Sequence, residues 1–339
     1  RQVLTYKALK QQVARCAAGL KEAGVVTGDR VAAIMPNVAY TIIAMLATAS
    51  IGAIWSSCSP DFGTPGVVDR FGQIEPKILI TADGYFYKGT ALDSLAKVQE
   101  ILKSLPTVEH TIVIPYTSAA PRLAALGAAT CFDRIVSEAK RCELQFEQLP
   151  FDHPLYIMYS SGTTGKPKGV VRHQSYLLEQ YRVFSKSLSI NDHSGPDLCI
   201  FANFALANLA AGRGSLIIPS GWKKKHLKQL DHFSAKEKPE TMTSGPAFLM
   251  RLMELGVARD LKSIHIGGAL TDCAIFEKGF AHWPKTHWMH LYGSSEAEPV
   301  ALADAEEAVR KSREKGLFQT LYLGKPISEV EARVEDKGL

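Results

Sequence analysis

Along the first third of the chain the apolar positions switch between two periods. Leu9, Val13, Cys16, Ala17 and Leu20 recur at helical spacing and predict a helix closed by Gly24. Apolar runs over 30–35 and 53–56 read as strands, the first stopped by Pro36-Asn37, with a buried helix over 38–50 between them. The same reading gives a helix over 64–74, a strand over 77–81, a helix over 92–105 and a strand over 111–115. Such alternation predicts an α/β fold of parallel, doubly wound sheets with helices on both faces. The pattern fades over 117–149, which carries the small-residue run 119–129 and reads as a surface excursion. Beyond it the periodicity predicts helices over 174–188 and 247–255, and strands over 215–218, 262–266 and 288–291. No internal repeat or low-complexity tract interrupts this order.

Composition narrows the class without changing it. The 339 residues are 46% hydrophobic and 22% charged, enough for a substantial core in ordinary globular proportions. The formal net charge of +5 is mild and suits anionic small molecules. The one dense basic cluster, Lys223-Lys224-Lys225, lacks the aromatic interleaving of a nucleic-acid surface, so no nucleic-acid partner is expected. The six cysteines (Cys16, Cys58, Cys131, Cys142, Cys199, Cys273) form no CxxC pair and read as reduced, mostly buried thiols of a cytoplasmic protein. No apolar stretch reaches the length of a bilayer span. The chain opens inside a pattern and without Met, and reads as a fragment.

Chemistry concentrates where the β-prone run Tyr156-Ile157-Met158-Tyr159 feeds Ser160-Ser161-Gly162-Thr163-Thr164-Gly165-Lys166-Pro167-Lys168-Gly169. Small, hydroxyl-bearing residues let successive amides and hydroxyls point at phosphate oxygens, and Lys168 adds mobile positive charge. Lys166 is followed by proline, so this is not the Walker loop. The helix expected over 174–188 places its N-terminus near the glycines and adds dipole attraction for phosphate. Two further turns follow apolar runs: Gly267-Gly268-Ala269, and Tyr292-Gly293-Ser294-Ser295-Glu296. His265, His282, His287 and His290 show no ligand spacing and read as packing or surface residues, and no Ser-His-Asp or Cys-His set can be assembled.

These three segments resemble the motifs of the adenylate-forming (AMP-binding) superfamily, which includes acyl-CoA synthetases, luciferases and peptide-synthetase adenylation domains. The resemblance implies one AMP-binding core domain over 1–339, truncated at both ends, with its phosphate loop at 160–169. It assigns Ser160, Ser161, Gly162, Thr163, Thr164, Gly165 and Lys168 to the β- and γ-phosphates of ATP. By the same likeness Gly267, Gly268 and Ala269 lie against adenine, on which Tyr292 stacks beside Gly293 and Ser294. Ser295 reaches the α-phosphate, and Thr163 and Glu296 stand near Mg²⁺. Thr163, Lys168 and Glu296 are the expected catalytic set. Thr27-Gly28-Asp29 imitates the superfamily's ribose-binding motif but lies too early, and reads as a turn into the strand at Val31.

Within the superfamily, Gly52-Ala53-Ile54-Trp55-Ser56-Ser57-Cys58-Ser59-Pro60-Asp61-Phe62-Gly63 is similar to acetoacetyl-CoA synthetases. So are Asp69-Arg70-Phe71, Gln73-Ile74-Glu75-Pro76-Lys77 and Phe146-Glu147-Gln148-Leu149-Pro150-Phe151. The later stretch Phe201-Ala202-Asn203-Phe204-Ala205-Leu206-Ala207-Asn208 is instead similar to other acyl-adenylating enzymes, including fatty-acyl-AMP ligases, and is expected to line the acyl pocket. The resemblance implies a carboxylic acid, acetoacetate favoured, joined to ATP as acyl-AMP and then passed to CoA. Another, fatty acid is the alternative substrate, and a non-catalytic nucleotide-binding remnant the alternative role. It also implies that the ribose motif, the hinge and a small C-terminal domain come after Leu339, so that the chain alone is expected to fall short of full turnover.

Overall fold

The computed structural model describes residues 3–87, 89–138, 143–160, 165–188, 190–218, 224–317 and 320–333. The chain divides into two compact units, Arg1–Leu177 with Pro219–Trp222, and Leu178–Ile218 with Lys223–Leu339.

In the first unit, α1 (Tyr6–Glu22) begins where the Thr5 hydroxyl accepts the Ala8 amide at 3.2 Å, a capping contact. There follow β1 (Arg30–Ile34), α2 (Ala39–Ser50), β2 (Ile54–Cys58), α3 (Thr64–Phe71) and β3 (Ile78–Ala82). The hairpin β4 (Gly84–Tyr87) and β5 (Thr90–Asp93) precedes α4 (Leu95–Leu102) and β6 (His110–Ile114). The unit closes with β7 (Ala129–Cys131), α5 (Phe132–Glu138), β8 (Pro154–Tyr159) and β9 (Gly169–His173). Its main sheet runs β7-β6-β3-β1-β2-β8-β9, parallel throughout except for the antiparallel β8–β9 pair.

Alternation along the strands explains the two-sided covering. Val31 and Ala33 of β1 face one way and pack with Val13, Leu20, Ile43 and Ala47. Ala32 and Ile34 face the other way and pack with Val67, Phe71, Val98 and Ile101. Both faces are apolar, as the doubly wound expectation requires. Beyond β3, the Asp83 carboxylate is buried and accepts the amides of Tyr116, Thr117 and Ser118 at 2.6–2.8 Å, joining the ends of β3 and β6. Thr27-Gly28-Asp29 is a turn into β1, where Asp29 accepts the Val26 amide at 2.9 Å.

Two expectations change here. The supposed excursion over 117–149 contains β7, paired with β6, and α5, whose Phe132 is 2% exposed and belongs to the core. The helix expected over 92–105 is shorter, because residues 90–93 pair with β4.

α6 (Gln174–Ser187) leads the chain into the second unit. That unit holds β10 (Asp197–Cys199), α7 (Ala202–Ala210), β11 (Ser215–Ile217), α8 (Lys224–Leu227), β12 (Thr241–Ser244) and α9 (Pro246–Leu255). It continues with β13 (Ser263–Ile266), α10 (Cys273–His282), β14 (His287–Tyr292), β15 (Ala301–Asp304), α11 (Ala305–Glu314) and β16 (Lys325–Pro326). The sheet order is β11-β10-β12-β13-β14-β15-β16, parallel from β11 to β14 and antiparallel beyond. The Asp272 and Asp304 carboxylates cap α10 and α11, accepting amides at 2.9 and 3.0 Å. Among the described residues no helix is long and apolar enough to cross a membrane.

Candidate functional site

In parallel α/β sheets the loops leaving the carboxyl ends of the strands form the usual binding edge. In the first unit that edge carries the loop expected from sequence to bind phosphate. Tyr159, the last residue of β8, pairs with Gly169 at the start of β9, and the Ser160 amide donates to the Lys168 carbonyl at 3.1 Å. The loop is therefore the tip of a closed hairpin. Ser161, Gly162, Thr163 and Thr164 lie outside the described residues. Lys166 and Lys168 are exposed, and together with Asp69, Gly72, Gln73 and Pro167 they line an open groove of about 590 Å³.

The hairpin corrects the expected helix-dipole contribution. A five-residue strand separates the loop from α6 and runs back along β8, so that His173 pairs with Pro154. The N-terminus of α6 stands about 13 Å of strand away from the loop. The Val170-Val171 pair is the one β-prone signal in this strand, too short beside the preceding glycines to announce it.

Of the segments similar to acetoacetyl-CoA synthetases, 69–71 and 73–77 touch this hairpin, the Tyr159 hydroxyl donating to the Arg70 carbonyl and the Gln73 amide to the Pro167 carbonyl. Trp55 is core, 3% exposed, whereas Phe62 is 38% exposed with the Arg70 guanidinium 4.6 Å above its ring. Lys97 donates to the carbonyls of Pro60 and Phe62. Burial pushes the Cys58 thiol up to about 12, which leaves it no thiolate to act as a nucleophile at neutral pH.

In the second unit the parallel neighbours β13 and β14 deliver both remaining motifs to one edge. The Gly267 amide donates to the Ser244 carbonyl at 3.1 Å, and a Cβ on Gly267 would lie 2.6 Å from the Leu291 carbonyl oxygen. Gly268 has φ +75°, and a Cβ there would meet the Phe201 ring at 3.1 Å. Both positions therefore demand glycine, one for closeness and one for backbone conformation. Ala269 is exposed, and its carbonyl accepts the Thr271 hydroxyl at 3.2 Å.

Tyr292 is half-buried at the end of β14, its carbonyl accepting the Val300 amide at 2.7 Å. Gly293 and Ser294 lead into a turn closed from the Ser294 amide to the Ala297 carbonyl at 2.8 Å. The turn presents Ser295, half-buried, and Glu296, exposed. Glu298 holds this turn in place. Asn203 donates to its carboxylate at 2.8 Å and Gln180 to its carbonyl at 3.0 Å.

The acyl-pocket stretch divides. Phe201 stands against Gly268 and Gly245, while Phe204 stacks on Phe184 at 4.7 Å. Asn208 lies in the interior. It is 2% exposed and donates to Asp197 at 3.2 Å and Ser215 at 3.1 Å. Asp197 also accepts the Thr241 hydroxyl at 2.5 Å, and Arg213 donates to that same hydroxyl at 2.8 Å. No periodicity marks this buried polar cluster in the sequence.

Burial lowers both His265 and His290 to about 4, so each is neutral at neutral pH. His265 shares hydrogen bonds with Thr243 at 3.1 Å and Ser263 at 2.9 Å, in keeping with a packing role. No cluster of three or more His, Cys, Asp or Glu suited to a metal occurs among the described residues. The exposed Glu296 carboxylate, a single hard oxygen donor, fits Mg²⁺, which keeps most of its ligands from water and phosphate.

Two largely parallel sheets with glycine-bearing turns at their carboxyl edges make this an α/β protein, and the comparisons give its family. The chain belongs to the AMP-binding enzyme family, whose model matches residues 1–339. Acetoacetyl-coenzyme A synthetase of Rhizobium meliloti (strain 1021) is 49% identical over 180 residues, covering 52% of this chain and 27% of that protein. Acetoacetyl-CoA synthetase of Xenopus tropicalis is 45% identical over 174 residues, covering 50% of this chain and 26% of its own. The solved acetoacetyl-CoA synthetase from Streptomyces lividans aligns with a TM-score of 0.74 at 27% identity, over 90% of this chain and 49% of that one. The chain thus spans about half the length of the solved relative, and about a quarter of each curated relative is aligned.

Proposed function

We propose that the chain is the nucleotide-binding core of an ATP-dependent acid–thiol ligase, with acetoacetate as the favoured acid. The carboxylate attacks the α-phosphorus of ATP and expels pyrophosphate, giving acyl-AMP. The CoA thiol then displaces AMP to give the thioester. Such chemistry depends on positioning and charge neutralisation rather than on a protein nucleophile. The neutral buried histidines and the raised Cys58 thiol accord with that.

Ser160 to Gly165 and Lys168 would take the β- and γ-phosphates. Gly267 to Ala269 and Tyr292 would take adenine, with Gly293 and Ser294 shaping the turn beside it and Ser295 at the α-phosphate. Glu296, with Thr163, would hold Mg²⁺, which supplies charge neutralisation to the polyphosphate. The observation that carries the acid preference is the 49% identity to an acetoacetyl-CoA synthetase. A second reading, a longer acid, rests on the resemblance of 201–208 to fatty-acyl-AMP ligases, a stretch whose Phe201 ring stands against the Gly268 turn.

ATP–pyrophosphate exchange across acetoacetate, butanoate and long-chain acids separates these readings. Exchange with acetoacetate foremost is the expected result. Exchange only with long-chain acids would support the second reading, and ATP binding without any exchange would point to a non-catalytic core.

A further inference from the structure

We propose that the last turn of α3 and the residues just after it are a positioning clamp for the lysine-bearing limb of the phosphate loop, with Gln73 as its key residue. This rests on the nucleotide reading above, since the limb matters for phosphate only if that reading holds. Three hydrogen bonds define the clamp. Gln73 Nε2 donates to the Pro167 carbonyl at 2.9 Å, and the same amide reaches the Asp69 carbonyl at 2.5 Å. The Tyr159 hydroxyl donates to the Arg70 carbonyl at 2.5 Å. The Ser160 amide meets the Lys168 carbonyl at 3.1 Å between them.

Both ends of the loop are thus tied to one helix end. Pro167 has a fixed φ and no amide hydrogen, so its carbonyl is the group through which the limb can be held from outside. Gln73 is exposed and takes part in no core cluster, so its hydrogen bonds are not a by-product of packing. Tyr159 is pushed up to about 12, chiefly by burial, and therefore keeps its donating proton across the physiological range. Lys166 and Lys168 flank the held carbonyl and face the groove also lined by Asp69 and Gln73. A clamp here lowers the number of limb conformations, so less ordering remains when an anion binds.

Gln73→Met removes the donor at nearly constant size and charge. Two readouts on the 339-residue chain test it: Mg·ATP affinity by calorimetry, and the rate of tryptic cleavage at Lys168–Gly169. The Lys166–Pro167 bond resists trypsin, which makes the second readout local. Gln73→Met is expected to weaken Mg·ATP by about fivefold, the factor one net hydrogen bond carries, and to speed the cleavage several-fold. The urea midpoint should stay at the wild-type value. Tyr159→Phe should act the same way, and the pair should be non-additive if the two ties form one clamp. Gln148→Met, which loses only a contact to the Phe146 carbonyl, should change neither readout.

Wild-type affinity and wild-type cleavage in Gln73→Met would overturn the clamp. So would strictly additive effects of the two ties. A wild-type chain with no affinity for Mg·ATP would instead sink the nucleotide reading, and the cleavage rates alone would then decide the clamp.

Discussion

The two parallel sheets carry their motifs on equivalent carboxyl edges yet are built from different interiors. The inner strands of the first unit, β1, β3 and β6, bury aliphatic side chains with only the hydroxyls of Thr81 and Thr111 among them. The first unit's other buried polar groups, Ser56, Asp83 and Arg172 among them, lie off those three strands, whereas the second unit buries Asp197, Arg213, Thr241, Thr243, Ser263, His265 and His290 in and beside its strands. An apolar interior is non-directional and tolerates small changes, whereas a buried polar one depends on each partner. Around β1, β3 and β6 the first unit should therefore yield gradually to mutation, and with part-buried His110 lowered less far than His265 and His290 it should answer acid less than the second, which should be brittle and acid-sensitive.

The largest expected effect is at the polar cluster. Asp197→Ala removes the first charge compensating Arg213, which burial already depresses, together with the acceptor for Thr241, Asn208 and Cys199. Arg213 and Asp197 meet through the Thr241 hydroxyl, and removing the carboxylate from such a buried charged network costs up to about 3–5 kcal/mol. Urea unfolding followed by hydrogen exchange should locate that loss in residues of the second unit. A loss below about 1 kcal/mol would show that the cluster is not what makes this interior brittle.

Acid gives the next effect. His265 and His290 are held near 4, below the ordinary histidine value of 6.5, by burial. The unfolded chain takes up these protons as pH falls below about 6.5, while the folded chain resists until about 4. Stability is thus complete above that window and is lost as pH falls through it, on the order of 3 kcal/mol for each histidine. Hydrogen exchange at pH 7.5 and 4.5 should show the second unit loosening first, and His265→Gln should remove part of that difference. Equal loosening of both units would erase the contrast drawn between them.

The same difference explains what could be read from sequence. β1, β3 and β6 are runs such as Ile78-Leu79-Ile80, which signal a strand buried on both faces, and their alternation with helices announced the doubly wound unit. β10 and β12 read Asp197-Leu198-Cys199 and Thr241-Met242-Thr243-Ser244, and their polarity hides them. Glycine turns were legible because Gly267 and Gly268 meet local demands, one of closeness and one of backbone sign. Partners distant in sequence were not legible: nothing near Glu298 announces Asn203, and nothing near Pro167 announces Gln73. The strand after the phosphate loop was masked by the glycines before it, which is why the expected helix-dipole contribution failed.

A third test separates edge from interior within the first unit. Lys168→Ala removes an exposed cation at the loop limb. If the proposed phosphate contact is charge-assisted, Mg·ATP affinity should fall by about 2 kcal/mol, roughly thirtyfold. Stability should move by less than about 0.5 kcal/mol, because surface substitutions away from structural features rarely do more. Unchanged affinity would remove Lys168 from the phosphate set.

The smallest effect belongs to the apolar interior itself. Ile112 in β6 is 1% exposed and lies in the cluster with Val31, Ile78 and Ile80. Ile112→Val removes one methylene, keeps the β-branched shape suited to a strand, and leaves no polar atom without a partner. Such a change costs about 1 kcal/mol, the transfer term with little cavity. The loss should show in the urea midpoint and in exchange protection of β1, β3 and β6, while the second unit's strands keep theirs. It should also be the same at pH 7.5 and 4.5, since no titrating group takes part in the contact. A loss of 3 kcal/mol or more, or one that grew with acid, would mean that the first sheet is as tightly specified as the second. The distinction between a forgiving and a brittle interior would then have to be abandoned.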